Sequence, residues 1–375
     1  MSSYFLDRAT IWVRIRSGFL KSCVRLILNT HLPYTFFEKL AVIKRYVQAR
    51  SHTSKYRAIV DISQICNAKC YYCPSGFSNR EREPREKRRE ERGGAIFIDI
   101  GLFERILIHL KKQGFIGKYA DLDLYNKGEP FLHPNFEEII NITTRHGIFV
   151  NLSTNASVLP KVSEKFNAAY IRSVTFSMPG FSQESYDRIH GFRFDFIKNN
   201  IAWIVKFFRQ HGFIGQFGIA YHVYQFNLHE LESAYHFATS LGILFSPVFA
   251  RCVDWKRLQQ YVKKELPYDQ LWDFAKDLVI NSSDLFYGKQ IKDVSQCDIS
   301  HYITVNVDGT VDTCCMTKDF PIGNVFEMTR DKLHQLHKNS DICAECIRSG
   351  IIRGKNSKML LPHQFGILRD LFAKF

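Results

Sequence analysis

The chain reads as an α/β protein built on parallel strands, and three observations predict this. From about residue 58, short runs rich in β-branched and aromatic residues alternate with stretches of helical periodicity. Several of those helical stretches close on a glycine where a left-handed cap would sit, at Gly114, Gly147 and Gly242. A length of 375 residues with 45% apolar composition can bury one large core and a smaller appended domain.

Taken in order, residues 1–56 interleave bulky apolar and basic residues at roughly helical spacing and form a helical extension. The main domain, 57–255, carries the expected strands RAIVDIS (57–63), YADLDLY (119–125), GIFVNLS (147–153), SVTFSM (173–178), QFGIAYHV (216–223) and ILFSPVFA (243–250). Between them lie GLFERILIHLKKQG, NFEEIINITTRHG, PKVSEKFNAAY, the segment after SQESYDRIHG, and LHELESAYHFATSLG, each expected to be helical. Six strands with helical crossovers fit either an open sheet or a partial barrel, and in both the chemistry sits at the C-terminal strand ends. The insertion REREPREKRREERGG (80–94) holds seven Lys/Arg and five Glu and reads as a solvated loop or short exposed helix. After residue 250 the alternation stops: LPYDQLWDFAKDLVI reads as a linking helix, and HYITVNVDGTVDTCC as a hairpin turning at Asp308-Gly309. A second domain is expected over 256–350, with a helical tail at 351–375.

Composition excludes some classes. No segment offers ~20 uninterrupted apolar residues, so no membrane-spanning helix is expected. Arg14, Arg16, Lys21 and Arg25 break the N-terminal apolar runs, which argues against a signal peptide and for a cytoplasmic protein. The net charge of +14 is uneven: residues 1–57 hold eleven Lys/Arg against Asp7 and Glu38. That segment is either a pair of packed amphipathic helices or a membrane-surface arm. No binding module accompanies the charge, so nucleic acid is not an expected partner.

Ten cysteines in a reducing compartment point to metal rather than disulfides. Cys66, Cys70 and Cys73 fall in ICNAKCYYCP just past the first strand. Three thiolates on one loop can hold three corners of a [4Fe–4S] cluster and leave one iron open, whereas structural zinc normally closes four positions. A second set comprises Cys297, Cys314, Cys315, Cys343 and Cys346, while Cys23 and Cys252 stand alone.

C-x₃-C-x₂-C after a first strand, KGEPFLHP (127–134), LSTNA (152–156) and VTFSMPGFSQESYDRIHG (174–191) occur in one order over residues 57–250, and this pattern resembles the radical SAM superfamily. The resemblance implies a partial (β/α)₆ TIM-like barrel. It also implies a [4Fe–4S] cluster on Cys66, Cys70 and Cys73 with S-adenosylmethionine on the open iron. Cofactor contacts would come from Tyr72 beside the adenine, the backbone of Gly128, Glu129 and Pro130, then Thr154 and Asn155 near the ribose, and Ser177. Lys127 stands where the family has a glycine, and His190, with Arg188 nearby, stands where a basic residue meets the cofactor carboxylate. Reductive cleavage of the cofactor would yield a 5′-deoxyadenosyl radical.

The second cysteine set resembles the SPASM/twitch auxiliary-cluster domains of the same superfamily. Cys297, Cys314, Cys343 and Cys346 would close an auxiliary [4Fe–4S] site, with Cys315 a substitute for Cys314 and zinc the other occupant of such a set. A closed second cluster suits electron transfer, and therefore net oxidation of a small-molecule substrate. An electron donor such as flavodoxin or ferredoxin is implied. A peptide maturase is the alternative enzyme, and a non-catalytic iron–sulfur protein the third reading. Arg251, Cys252, His222 and Tyr221, late in the fifth and sixth strands, are the candidate catalytic residues.

Overall fold

The computed structural model describes residues 23–24, 27, 36–51, 56–70, 72–80, 95–117, 121–263, 265, 267, 269–270, 276–278, 297, 300–317 and 320–348. Nearly all of the charged insertion, most of the linking helix, the C-terminal tail and most of residues 1–35 lie outside the described residues.

Helix α1 (Phe36–Ser51) precedes strand β1 (Arg57–Val60), and the cysteine loop leads into α2 (Pro74–Arg80). There follow α3 (Ile100–Lys112), β2 (Asp121–Asp123), α4 (Phe136–Arg145), β3 (Phe149–Thr154) and β4 (Ile171–Met178). The barrel continues through α5 (Gln183–Arg188), α6 (Phe194–Gln210), β5 (Gln216–Val223), α7 (Leu231–Ser240), β6 (Leu244–Phe249) and α8 (Trp255–Val262). Last come β7 (Tyr302–Val305), β8 (Thr310–Asp312), β9 (Pro321–Asn324), α9 (Arg330–Lys338) and α10 (Asp341–Arg348).

Local rules account for the helices. Asp99 caps α3 by accepting from the Leu102 N–H at 2.8 Å, and Phe103, Ile106, Leu107 and Leu110 then bury one stripe at i, i+3, i+4, i+7. Each such side chain contributes about 1.5–3 kcal/mol of burial. Gly114, Gly147 and Gly242 take the expected left-handed φ of 71°, 66° and 62°.

One expected helix is absent. Residues 160–170, between β3 and β4, are irregular. Their donors are taken by partners outside a helical ladder: Ser163 donates its N–H and hydroxyl to Glu137, and the Ala168 N–H donates to the His211 carbonyl. Tertiary bonding overrides the local propensity there.

β1 to β6 lie side by side in chain order, all parallel. Sequential order with right-handed crossovers sends every connection over the same face, as in a partial TIM barrel, and frees the other face. Burial follows the period of two. Val174, Phe176, Met178, Phe217, Ile219, Tyr221 and Val223 are buried in the helix-covered core, whereas Thr175, Ser177, Gly218, Ala220 and His222 are half-buried on the opposite, concave face.

The second region is not set apart from the barrel sheet. β7 pairs parallel with β1, and β8 and β9 follow antiparallel, so the described strands make one nine-stranded sheet. The Asp308-Gly309 turn forms as expected, with Gly309 at φ 84° and Asp308 accepting from the Thr310 N–H. At the other end, α1 lays Val42 and Tyr46 against Phe149, Ala169, Tyr170 and Ile214, which precede or begin β3, β4 and β5.

Candidate active site

The loop from Ile65 to Cys73 is tied to the ends of four strands. After β2, the Glu129 N–H donates to the Ile65 carbonyl at 2.8 Å, and the Lys127 N–H donates to the Asp61 carboxylate at 3.0 Å. After β3, the Asn155 amide donates to Cys66 Sγ at 3.5 Å and to Asn67 Oδ1 at 3.2 Å. Beyond β4, the His190 carbonyl accepts from the Lys69 N–H at 3.0 Å; beyond β6, the Val253 N–H donates to the Tyr72 carbonyl at 2.8 Å. Asn79 of α2 closes the loop from beneath by donating to the Cys66 and Ala68 carbonyls. All three thiols are left half-buried.

Two glycines permit this packing. A Cβ on Gly128 would stand 1.6 Å from the Ser63 carbonyl oxygen, and one on Gly76 would stand 2.3 Å from that of Cys70. No other residue allows so close an approach of backbone to backbone.

Glu129 is 2% exposed and accepts from the Thr154 hydroxyl at 2.7 Å, the Asn155 N–H at 2.8 Å and the Phe131 N–H at 3.2 Å. Burial pushes its carboxyl up to about 7 against these donors. The Thr154 hydroxyl also accepts from the Ala156 N–H. The side chains of Glu129 and Thr154 thus join the second and third strand ends, and Pro130 begins the buried turn between them. Gly128 presents backbone there, and Ser177 presents its hydroxyl on the concave face.

Arg188 is paired with Asp277, its guanidinium 4.3 Å from the Phe226 ring centre. Tyr72 stacks on Tyr224 at 6.0 Å and Tyr224 on Phe226 at 5.1 Å, making an aromatic ladder behind the cysteine loop. The His190 ring is buried, with Nδ1 lacking a hydrogen-bond partner, and burial lowers it to about 3, aided by nearby His222. His222 faces the concave side, where burial and then the charge of Arg251 lower it to about 4. Burial thus keeps both imidazoles neutral at pH 7. Arg251 is exposed at the end of β6.

The structure separates Tyr221 from His222. Tyr221 points into the helix-covered core and donates to the Asn227 carbonyl at 2.7 Å. Cys252 is buried beside the loop, packed with Tyr72, Tyr224 and Cys70, and burial pushes its thiol up to about 12.

In the second cysteine set, Cys314 lies toward the N-terminal end of β1. Asp312 pairs with Thr304, and Thr304 with Ile59. Because β8 runs against β1, the chain leaves Asp312 heading for the N-terminal end of β1, and Cys314 follows two residues later. Cys314 Sγ accepts from the Met316 N–H at 3.3 Å, while Cys315 lies near enough to Tyr125 to raise its phenol. Cys343 and Cys346 are three apart on α10 and share a face.

Buried His337 of α9 draws these segments together. Its Nδ1 lies 2.8 Å from the Ser300 carbonyl and its Nε2 lies 2.7 Å from the Thr313 carbonyl, next to Cys314. Ser300 in turn donates its N–H to the Cys297 carbonyl. Sequence reading missed His337, which belongs to no motif. It also missed buried Glu230, which accepts from the hydroxyls of Ser182, Ser185 and Tyr221 and so fixes the segment after β4.

On the concave face a polar ladder crosses four strands. Arg57 Nη2 donates to Asp123 Oδ1 at 2.9 Å, the Asn151 amide donates to the same oxygen at 2.9 Å, and the Ser173 hydroxyl donates to Asn151 at 2.7 Å. Its signal in the sequence is the period-two polar stripe of DLDLY, VNLST and SVTFS.

The donor set fits an iron–sulfur cluster at the first loop. The three cysteines are half-buried, burial pushes the Cys66 thiol up to about 12, and the buried polar atoms Ser75 Oγ, Tyr186 OH and His190 Nδ1 around the loop have no hydrogen-bond partner among the described residues. Among the described residues no three His, Cys, Asp or Glu side chains gather tightly enough for one metal ion. A cubane needs no such convergence, since each thiol meets its own iron.

Among the described residues no helix is long and apolar enough to cross a membrane. No curated protein matches the chain. Among solved structures it is similar to Streptococcus suis SuiB bound to precursor peptide SuiA, at 13% identity, covering 83% of this chain and 72% of that one, with a TM-score of 0.48. It is also similar to anSMEcpe with bound AdoMet, at 16% identity, 78% and 83% coverage and a TM-score of 0.48. A third is BtrN in complex with AdoMet and 2-DOIA, at 15% identity, 81% and 92% coverage and a TM-score of 0.39. Likenesses at this level do not bear on substrate. The family model described as Radical SAM superfamily matches residues 60–238, the stretch that holds the cysteine loop and β2 to β5. The chain therefore carries a radical SAM domain over residues 60–238, of an enzyme superfamily that uses a [4Fe–4S] cluster and S-adenosylmethionine.

Proposed function

We propose that the protein is a radical SAM oxidoreductase that oxidises a small polar molecule lying on the concave face of the barrel. The observation that carries this reading is the open, polar concave face between two cysteine sets. Cys66, Cys70 and Cys73 would hold the cluster at one end, and Cys297, Cys314, Cys343 and Cys346 an auxiliary [4Fe–4S] cluster toward the other. When bound, the cofactor pair supplies a 5′-deoxyadenosyl radical that abstracts hydrogen.

The chain's own residues do the rest. Thr175 and Ser177 offer hydroxyls for orienting a polar substrate, the Arg57–Asp123–Asn151–Ser173 ladder braces the strands beside them, and Gly218 and Ala220 leave room. The aromatic ladder of Tyr72, Tyr224 and Phe226 shields the loop from water. Neutral His222 lies on the same face, as a hydrogen-bonding group; oxidation of the substrate radical would release its proton to solvent and its electron to the auxiliary site. In this reading the enzyme works in the reducing cytoplasm with a flavodoxin- or ferredoxin-type donor.

Anaerobic reconstitution tests it. About eight irons per chain are expected, with S-adenosylmethionine cleaved to 5′-deoxyadenosine on reduction. Replacing Cys66, Cys70 and Cys73 by Ala should abolish cleavage and leave about four irons. Bound zinc in the wild type would sink the two-cluster reading, and cleavage by the triple variant would sink the loop assignment.

A further inference from the structure

We infer that the outer face of α1 docks on an anionic membrane surface. The inner side of this helix is already used, since Val42 and Tyr46 pack on the barrel and Arg45 donates to the Tyr170 hydroxyl at 2.9 Å. The outer side is nevertheless apolar. Phe37 is 80% exposed, Phe36 54%, Val47 48% and Leu40 39%. At 3.6 residues per turn these four fall within an arc of roughly 100°. A helix that is apolar on both sides commonly has partners on both, and among the described residues only Ile27, whose carbonyl accepts from Lys39, reaches this helix from outside the barrel.

Scattered surface hydrophobics need no explanation, but these are concentrated. Of the twelve exposed large hydrophobics among the described residues, four belong to this one 16-residue helix. Exposed Lys44 lies within the same arc. In sequence, residues 1–57 carry eleven Lys/Arg and two acidic residues, with Arg45 and Arg57 already bonded to the barrel. Bulky apolar side chains with basic residues beside them suit the boundary between headgroups and acyl chains, where Phe inserts and Lys meets lipid phosphate. A protein partner would need matching acidic chemistry, which a lipid bilayer supplies over any area.

The position supports docking without blockage. α1 sits at the N-terminal ends of β3, β4 and β5, while the cysteine loop lies beyond the C-terminal ends. A membrane held against α1 leaves the mouth facing the aqueous phase.

The test is sedimentation of the full chain with vesicles of phosphatidylglycerol and phosphatidylcholine, and with phosphatidylcholine alone. Binding to the anionic vesicles is expected, weakened at high salt. The double variant Phe37→Asp with Leu40→Asp should bind at least about tenfold more weakly, and Lys44→Glu several-fold more weakly. These side chains touch water rather than the core, and an unchanged thermal melt would confirm folding. The inference is overturned if the wild type ignores anionic vesicles, or if the folded double variant sediments with them equally. A concentration-dependent dimer that the double variant abolishes would overturn it too, in favour of a second copy of the chain.

Discussion

The two cysteine sets are built in opposite ways. The first packs three thiols into eight residues, and four strand ends, after β2, β3, β4 and β6, each bond to that loop. The second draws four thiols from positions 297 to 346 and depends on one histidine to bring Ser300, Thr313 and α9 together. The first is a short loop in a rigid frame; the second is an assembly of distant segments on the sheet edge. The contrast teaches that a short loop can be positioned by bonds to many strand ends, whereas segments far apart in sequence can be held by one buried side chain. Removing a part should therefore have different consequences at the two ends.

The largest effect should come from Gly128→Ala. The added methyl would collide with the Ser63 carbonyl, and backbone cannot yield as a side chain can. A loss of about 1–3 kcal/mol or more is expected in urea unfolding, together with loss of 5′-deoxyadenosine formation. A folded, active variant would show that the loop is less constrained than its contacts imply.

Next in size is His337→Ala. The Ser300 and Thr313 carbonyls lose the imidazole between them, and a buried carbonyl left without its donor costs about 1–3 kcal/mol. Iron should fall from about eight to about four per chain while 5′-deoxyadenosine is still formed. Iron analysis with electron paramagnetic resonance reads the difference, and unchanged iron would break the idea that His337 assembles the second set.

Glu129 offers a pH test of the first set's frame. Its folded-state pKa of about 7 lies above the ordinary 4.5, so the folded state holds its proton more tightly. The stability it contributes is full below pH 4.5 and is lost as pH rises toward 7. Wild-type stability measured against Glu129→Gln at pH 5, 6 and 7 should thus decline with rising pH, by up to about 3 kcal/mol over the whole range. A flat difference would mean that the three donors hold the carboxylate ionised.

The smallest effect should be Cys315→Ser. Cys314 takes the backbone N–H of Met316, while Cys315 lies near Tyr125, whose phenol is raised chiefly by burial and Asp123. Iron content should be near wild type in Cys315→Ser and halved in Cys314→Ser; the reverse result would exchange the two assignments.

Much of this was legible in advance. Six strands, three glycine caps, the Asp308-Gly309 turn and the cysteine loop all announce themselves through residues close together in sequence. The failures have a common cause. PKVSEKFNAAY has helical composition, yet Glu137 and His211, both distant in sequence, take part in its hydrogen bonding. Tyr221 and His222 looked equivalent until strand alternation sent one into the core and the other to the concave face.

By itself, then, the sequence determined the α/β class, the place of the three-thiol loop after the first strand, and the radical SAM motifs, because each rests on local spacing. Only the tertiary structure decided that the strands lie in sequential order with one face free. It alone joined the second region to β1, brought Cys314 toward the N-terminal end of that strand, and linked Ser300 to Thr313 through His337. Those are outcomes of strand register and hydrogen bonding across tens to hundreds of residues, which no local periodicity encodes.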